Sequence, residues 1–186
     1  ALGGSMGTDL ALDLCAALPI GVPKYIISTV AFSPMLPPAR LPADIQMILW
    51  AGGLYGLSSV CKSALSQAAG AVLGACQTVL PPDPDKPMIG MTSLGLSTLT
   101  YMADLKPELE ARGFEVAVFH ATGMGGRAFE SLASQGAFVA VMDFCTQELG
   151  THVHGSSISA GDTRLQVAGS AATPPLVAPG CSDLVG

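Results

Sequence analysis

Apolar residues at Leu10, Leu14, Ala17 and Leu18 recur at helical spacing and predict a helix from residue 8 or 9 to about 18. Pro19, Gly21 and Pro23 end it, and the run at 25–30, entered at Lys24, reads as a buried strand. Four prolines make 33–42 a loop; Asp44 then reads as the cap of a short helix reaching Trp50. A longer helix is predicted over 57–79. Its alanines and glycines, from Ala64 to Ala75, imply burial against another helix. The proline-rich stretch 81–87 is a linker. Beyond it the pattern predicts strands at 88–92, 114–119, 138–143 and 175–178. Helices are predicted at 97–112, 128–134 and 163–171, the first kinked or split by Pro107 and stopped by Gly113.

Strands alternating with helices mean an α/β fold: parallel sheets with flanking helices, Rossmann-like and three-layered. The expected division is 1–80, the incomplete carboxyl-terminal part of a first subdomain, then the linker 81–87, then a second subdomain over 88–186. Leu2-Gly3-Gly4 reads like the end of a strand already in progress.

Composition narrows the function. Apolar residues are 49% of the chain and aromatics 5%, so the core is aliphatic, as parallel sheets require. A net charge of −6 without any basic run argues against a nucleic-acid partner. The apolar stretch 47–60 is shorter than the roughly 20 residues a membrane helix needs. It reads as a buried or subunit-contact helix, so no membrane partner is expected. Five scattered cysteines without a CxxC fit a reducing, cytoplasmic setting rather than a disulfide framework or zinc ribbon.

Two glycine-rich turns carry the candidate chemistry. Gly4, Ser5, Gly7 and Thr8 lead into the first helix. Thr122, Gly123, Gly125, Gly126 and Arg127 lead into the helix after the 114–119 strand. Such turns aim backbone N–H groups and the helix dipole at one spot, which suits a phosphate; Arg127 adds a bidentate cation. Neither turn is a GxGxxG or a P-loop. A hydrolase or lyase acting on a small phosphorylated or carboxylated metabolite is the alternative, with His120, Asp143 and Glu148 as its acid–base groups. Asp143 and Glu148 are alternatively contacts for a sugar or metal. His152 and His154 with Glu148 form only a loose metal pattern, and no metal site is assigned. Asp162 reads as a helix cap, with Arg164 an alternative member of the anion site. Cys145 reads as a small core residue.

The motif series adds a resemblance. It comprises Leu2-Gly3-Gly4-Ser5-x-Gly7-Thr8, Pro19-x-Gly21-Val22-Pro23-Lys24, Ser28-Thr29-Val30-Ala31, Phe119 to Ala128, Asp143-x-x-Thr146-x-Glu148-Leu149 and Ser159-Ala160-Gly161-x-x-Arg164-Leu165. It resembles, over nearly the whole chain, a largely uncharacterised bacterial family that shares the ATP-binding domain of the tomato mosaic virus resistance protein. The resemblance implies ATP or a related nucleotide, with or without Mg, and a homo-oligomer. Members are about twice this length. This chain departs from them at Phe32 to Pro38, where relatives carry a Gly-Asp-rich stretch.

Overall fold

A computed structural model describes residues 1–53 and 55–182, and the chain divides into two compact units, Ala1–Pro82 and Asp83–Gly186. All strand pairing in both is parallel. No helix among the described residues is long and apolar enough to cross a membrane.

The first unit runs β1 (Leu2–Gly3), α1 (Ser5–Ala16), β2 (Lys24–Ser28), β3 (Ile45–Leu49) and α2 (Ser59–Thr78), with sheet order β1-β2-β3. Ala11, Leu12 and Cys15 of α1 bury against Ile26, with Leu36, Leu41, Ile45 and Met47 around them. The helix expected after Asp44 is instead β3. Its backbone pairs residue by residue with β2, from Lys24 opposite Ile45 to Ser28 opposite Leu49. Tertiary pairing outweighs the local cap signal. Asp44 binds the buried Lys24 ammonium at 2.6 Å. Helix α1 forms as its apolar spacing predicts, and one further expectation, that for α2, fails in this unit. The buried side of α1 is Thr8, Ala11, Leu12 and Cys15, which leaves Leu10 and Leu14 exposed. Of α2, only Cys61 and Ala68 are buried, so most of its small residues are exposed or part-exposed rather than packed away.

The second unit runs β4 (Met88–Ser93), α3 (Gly95–Ala111), β5 (Glu115–His120), α4 (Met124–Ser134), β6 (Ala140–Asp143), α5 (Gln147–Val153), α6 (Val167–Ser170) and β7 (Pro175–Val177). Its sheet order is β5-β4-β6-β7. Helix α3 passes through Pro107 without splitting. Phe119, Phe129 and Phe138 form a ring cluster with centroids 5.6–5.9 Å apart, which seats α4 on the sheet. Helix α5 is an element that the polar pattern after Asp143 did not announce. Asp162 lies outside the short α6, whose cap position is Gln166.

Candidate functional site

In the first unit the glycine-rich turn links β1 to α1. Helix α1 begins at Ser5, so Gly7 and Thr8 already lie within it. Gly3 packs against Gly7: a Cβ there would stand 2.8 Å from the Gly7 Cα. Thr8 is fully buried and its hydroxyl meets Ser28 Oγ at 2.6 Å, tying the helix to the end of β2. Gly4 and Ser5 are exposed, and the cap position Gly4 offers no side chain to the first-turn N–H groups. Of the expected residues here, Thr8 is structural, while Gly4 and Ser5 remain at the surface.

In the second unit the turn after β5 is built around a carboxylate of the protein's own. Glu148, on α5, is completely buried. Its Oε1 accepts the N–H groups of Gly123 at 2.5 Å and Gly126 at 3.1 Å. Gly126 has no room for a Cβ because Glu148 Oε2 stands there, and Gly125 has none because the His120 carbonyl does. Gly123 caps the helix at φ 87°, a conformation that favours glycine. The glycines therefore meet protein atoms first. The N-terminal positive end of α4, which the sequence assigns to a ligand phosphate, holds a side-chain anion at two of its donors.

That carboxylate belongs to a buried ionic cluster. Arg164 is 1% exposed and is ringed by three acids. Its Nε donates to Glu148 Oε2 at 2.8 Å, its Nη2 to Asp143 Oδ1 at 2.8 Å, and its Nη1 to Asp143 Oδ2 and to Glu130 Oε1 at 3.2 Å. The pair with Asp143 is bidentate. Asp143 also accepts the Thr92 hydroxyl at 2.6 Å. Burial pulls the Arg164 proton affinity down, but Asp143 and Glu148 outweigh it and hold the guanidinium above its ordinary value. Burial pushes Glu130 up, against the Leu165 N–H and Arg164, which pull it down; its second oxygen is buried without a partner.

Asp143 and Glu148 are thus brought together, but facing Arg164 rather than solvent, and His120 is exposed at the end of β5. His152 bonds Ser159 through Nδ1 at 2.9 Å, while Glu148 faces the other way, into the cluster. Among the described residues, no group of three or more His, Cys, Asp or Glu is placed to hold a metal ion. The sequence did not single out Thr92 or Glu130. Glu130 carried one readable signal: it stands three residues after Arg127 on α4, one helical turn on, with no basic residue next to it in sequence.

Arg127 is the exception. It is half-buried at the start of α4, its guanidinium faces Gly161, and its Nε is buried without a hydrogen-bond partner. Among the described residues it forms no ion pair, and the N–H groups of Met124 and Gly125 beside it have no acceptor. Thr122 is exposed at the same turn. The clefts of about 610 Å³ at Lys24 and Asp44 and about 690 Å³ at Tyr101 and Phe144 are lined by no residue of either turn.

Two family models match the chain. The N-terminal domain of the uncharacterised protein family UPF0261 matches residues 1–81, and its C-terminal domain matches residues 86–186. The chain belongs to the UPF0261 family. A UPF0261 protein of Brucella suis biovar 1 is 60% identical over 185 residues, covering 100% of this chain and 44% of the relative. A UPF0261 protein of Clostridium tetani is 39% identical over 185 residues, covering 99% of this chain and 45% of the relative. The tomato ToMV resistance protein Tm-1(GCR237), from Solanum lycopersicum, is 34% identical over 190 residues, covering 99% of this chain and 25% of that protein. The chain therefore spans less than half the length of these relatives.

Proposed function

We propose that the second unit binds a phosphate-bearing ligand at the start of α4, with Arg127 as the binding cation. The observation that carries this reading is the unpaired Arg127: a guanidinium with a buried, unsatisfied Nε costs stability unless an acceptor reaches it. The N–H groups of Met124 and Gly125, in the first turn of the same helix, have no acceptor among the described residues and add two backbone donors. Because Gly123 and Gly126 already serve Glu148, the ligand would be held by Arg127, these two N–H groups and the Thr122 hydroxyl. An ATP-like nucleotide is the specific ligand favoured by the motif resemblance.

The exposed apolar face of α1, with Met6, Leu10 and Leu14, supports self-association, and the scattered thiols support a cytoplasmic setting. The acid–base alternative loses support, because Asp143 and Glu148 are both committed to Arg164.

Calorimetric titration with ATP, ADP and inorganic phosphate tests the reading. Binding by the parent chain and its loss in Arg127→Ala are expected. Absence of heat with all three, or an unchanged affinity in the variant, overturns it. Light scattering of Leu10→Asp/Leu14→Asp tests the apolar face: a parent oligomer should dissociate.

A further inference from the structure

Cys145 and Cys181 are far apart in sequence but adjacent in the second unit. Cys145 directly follows the end of β6 and Phe144; Cys181 lies beyond β7. The segments are held side by side by a backbone bond from Thr146 N–H to the Gly180 carbonyl at 3.1 Å. The approach is close because residue 180 has no side chain: a Cβ there would overlap the Phe144 carbonyl. The two side chains lie close enough for Cys181 to act on the Cys145 thiol, and Cys181 donates to the Leu94 carbonyl at 3.1 Å. Cys145 is completely buried, whereas Cys181 is part-exposed and adopts a left-handed backbone with φ 57°.

We propose that Cys145 and Cys181 are a modification site, a thiol pair that a hydroperoxide converts to an intramolecular disulfide. The part-exposed thiol reacts first. The Cys181 sulfur attacks the peroxide, an S–O bond forms, the O–O bond breaks, and water leaves as the sulfur is oxidised to a sulfenic acid. The Cys145 sulfur then attacks that sulfur. The S–S bond forms, the S–O bond breaks, and the departing hydroxide takes the Cys145 proton as a second water. Two thiols and one hydrogen peroxide thus give one disulfide and two waters. A thiol reductant reverses the change by exchange.

The division of labour follows from environment. Burial first, and then the neighbouring Cys181, push the Cys145 thiol up to about 12, so it is a poor first nucleophile and stays protonated until its partner is activated. The link would also bear on the ionic cluster. The Cys145 carbonyl accepts Arg164 Nη2 at 3.2 Å, and its N–H donates to Thr92 Oγ1 at 3.1 Å. Thr92 is in turn the partner of Asp143. A disulfide at this point would clamp the segment after β7 to the residues that hold Arg164.

The test uses the full chain carrying Cys76→Ser, which removes the exposed thiol that would otherwise cross-link molecules. The folded chain is treated with hydrogen peroxide and mapped by mass spectrometry without reduction. A peptide pair joining Cys145 to Cys181, two hydrogens lighter than the separate peptides, should become the dominant disulfide and vanish on reduction. In Cys181→Ser, Cys145 should stay a thiol under the same treatment. The same exposure in denaturant lets four cysteines pair at random, so the link should fall to a minority there. The proposal is overturned if the folded chain gives no such pair, if the link is no more abundant folded than unfolded, or if Cys181 advances to sulfinic acid unpaired. It is equally overturned if Cys145 in a folded Cys181→Ser chain oxidises as fast as in the parent.

Discussion

Glu148 stands where a Cβ on residue 126 would have to go, and its other oxygen accepts the Gly126 N–H at 3.1 Å. A carboxylate from α5 and a bare backbone position on α4 are therefore two halves of one contact. Gly126→Ala would force the carboxylate away from its donors and from Arg164. We expect a loss of at least about 2 kcal/mol, since overpacking and a stranded buried anion act together. Gly150→Ala is the control. Nothing lies within 4 Å of a Cβ at this helical position, so the change should be neutral or stabilise by up to about 1 kcal/mol. Urea unfolding by circular dichroism separates the two.

Arg164 holds three buried carboxylates. Arg164→Met should cost about 3–5 kcal/mol, because it leaves buried charge uncompensated. Arg164→Lys should recover only part of this, since an ammonium cannot form the bidentate pair with Asp143. Hydrogen exchange resolved to residues 120–165 should show the loss in this unit.

The stability of the cluster should also depend on pH. Burial raises Glu130, so the folded chain binds its proton more tightly than the unfolded chain. The stability this contributes is fully present below the ordinary carboxylate pKa and is lost as pH rises through the raised folded value. Glu130→Gln should remove this decline, and its amide would keep an acceptor for the Leu165 N–H. Parallel slopes in the two chains over mildly acidic pH would contradict the assignment.

Arg127 should behave in the opposite way to Arg164. It forms no ion pair among the described residues and its Nε is buried without a partner, so Arg127→Ala should leave the stability of the ligand-free chain unchanged or raise it by about 1 kcal/mol while removing anion binding. A large loss of stability would mean that its role is structural.

In the first unit, Lys24 is buried and donates to both oxygens of Asp44 and to the Pro19 carbonyl. Asp44→Ala should destabilise the β2–β3 pairing by about 1–3 kcal/mol. Trp50, the single tryptophan, directly follows β3, and its fluorescence reports the change.

Much of the frame was readable from local pattern. Apolar runs marked β2, β4 and β5, Gly113 marked the end of α3, and the glycine-rich runs marked two strand-to-helix turns. These features arise from short-range backbone geometry. Elsewhere long-range pairing prevailed. Ile45–Leu49 became a strand because β2 offered it a ladder, although Asp44 looks like a cap. Leu10 and Leu14 face outward because the sheet meets the Ala11, Leu12 and Cys15 side of α1.

The candidate site divides in the same way. Local spacing alone identifies residues 122–127 as a glycine-rich turn opening a helix, with an arginine in its first turn. Which anion sits there, and which arginine has no ion pair among the described residues, follows from long-range packing. Asp143, Glu148 and Arg164 are spread over 21 residues, with Glu130 a further 13 upstream, and no local spacing shows that they converge. Burial decides the outcome: away from water each charge needs a partner, so Arg164 takes the three acids, Glu148 takes the glycine N–H groups, and Arg127 is left without an ion pair among the described residues.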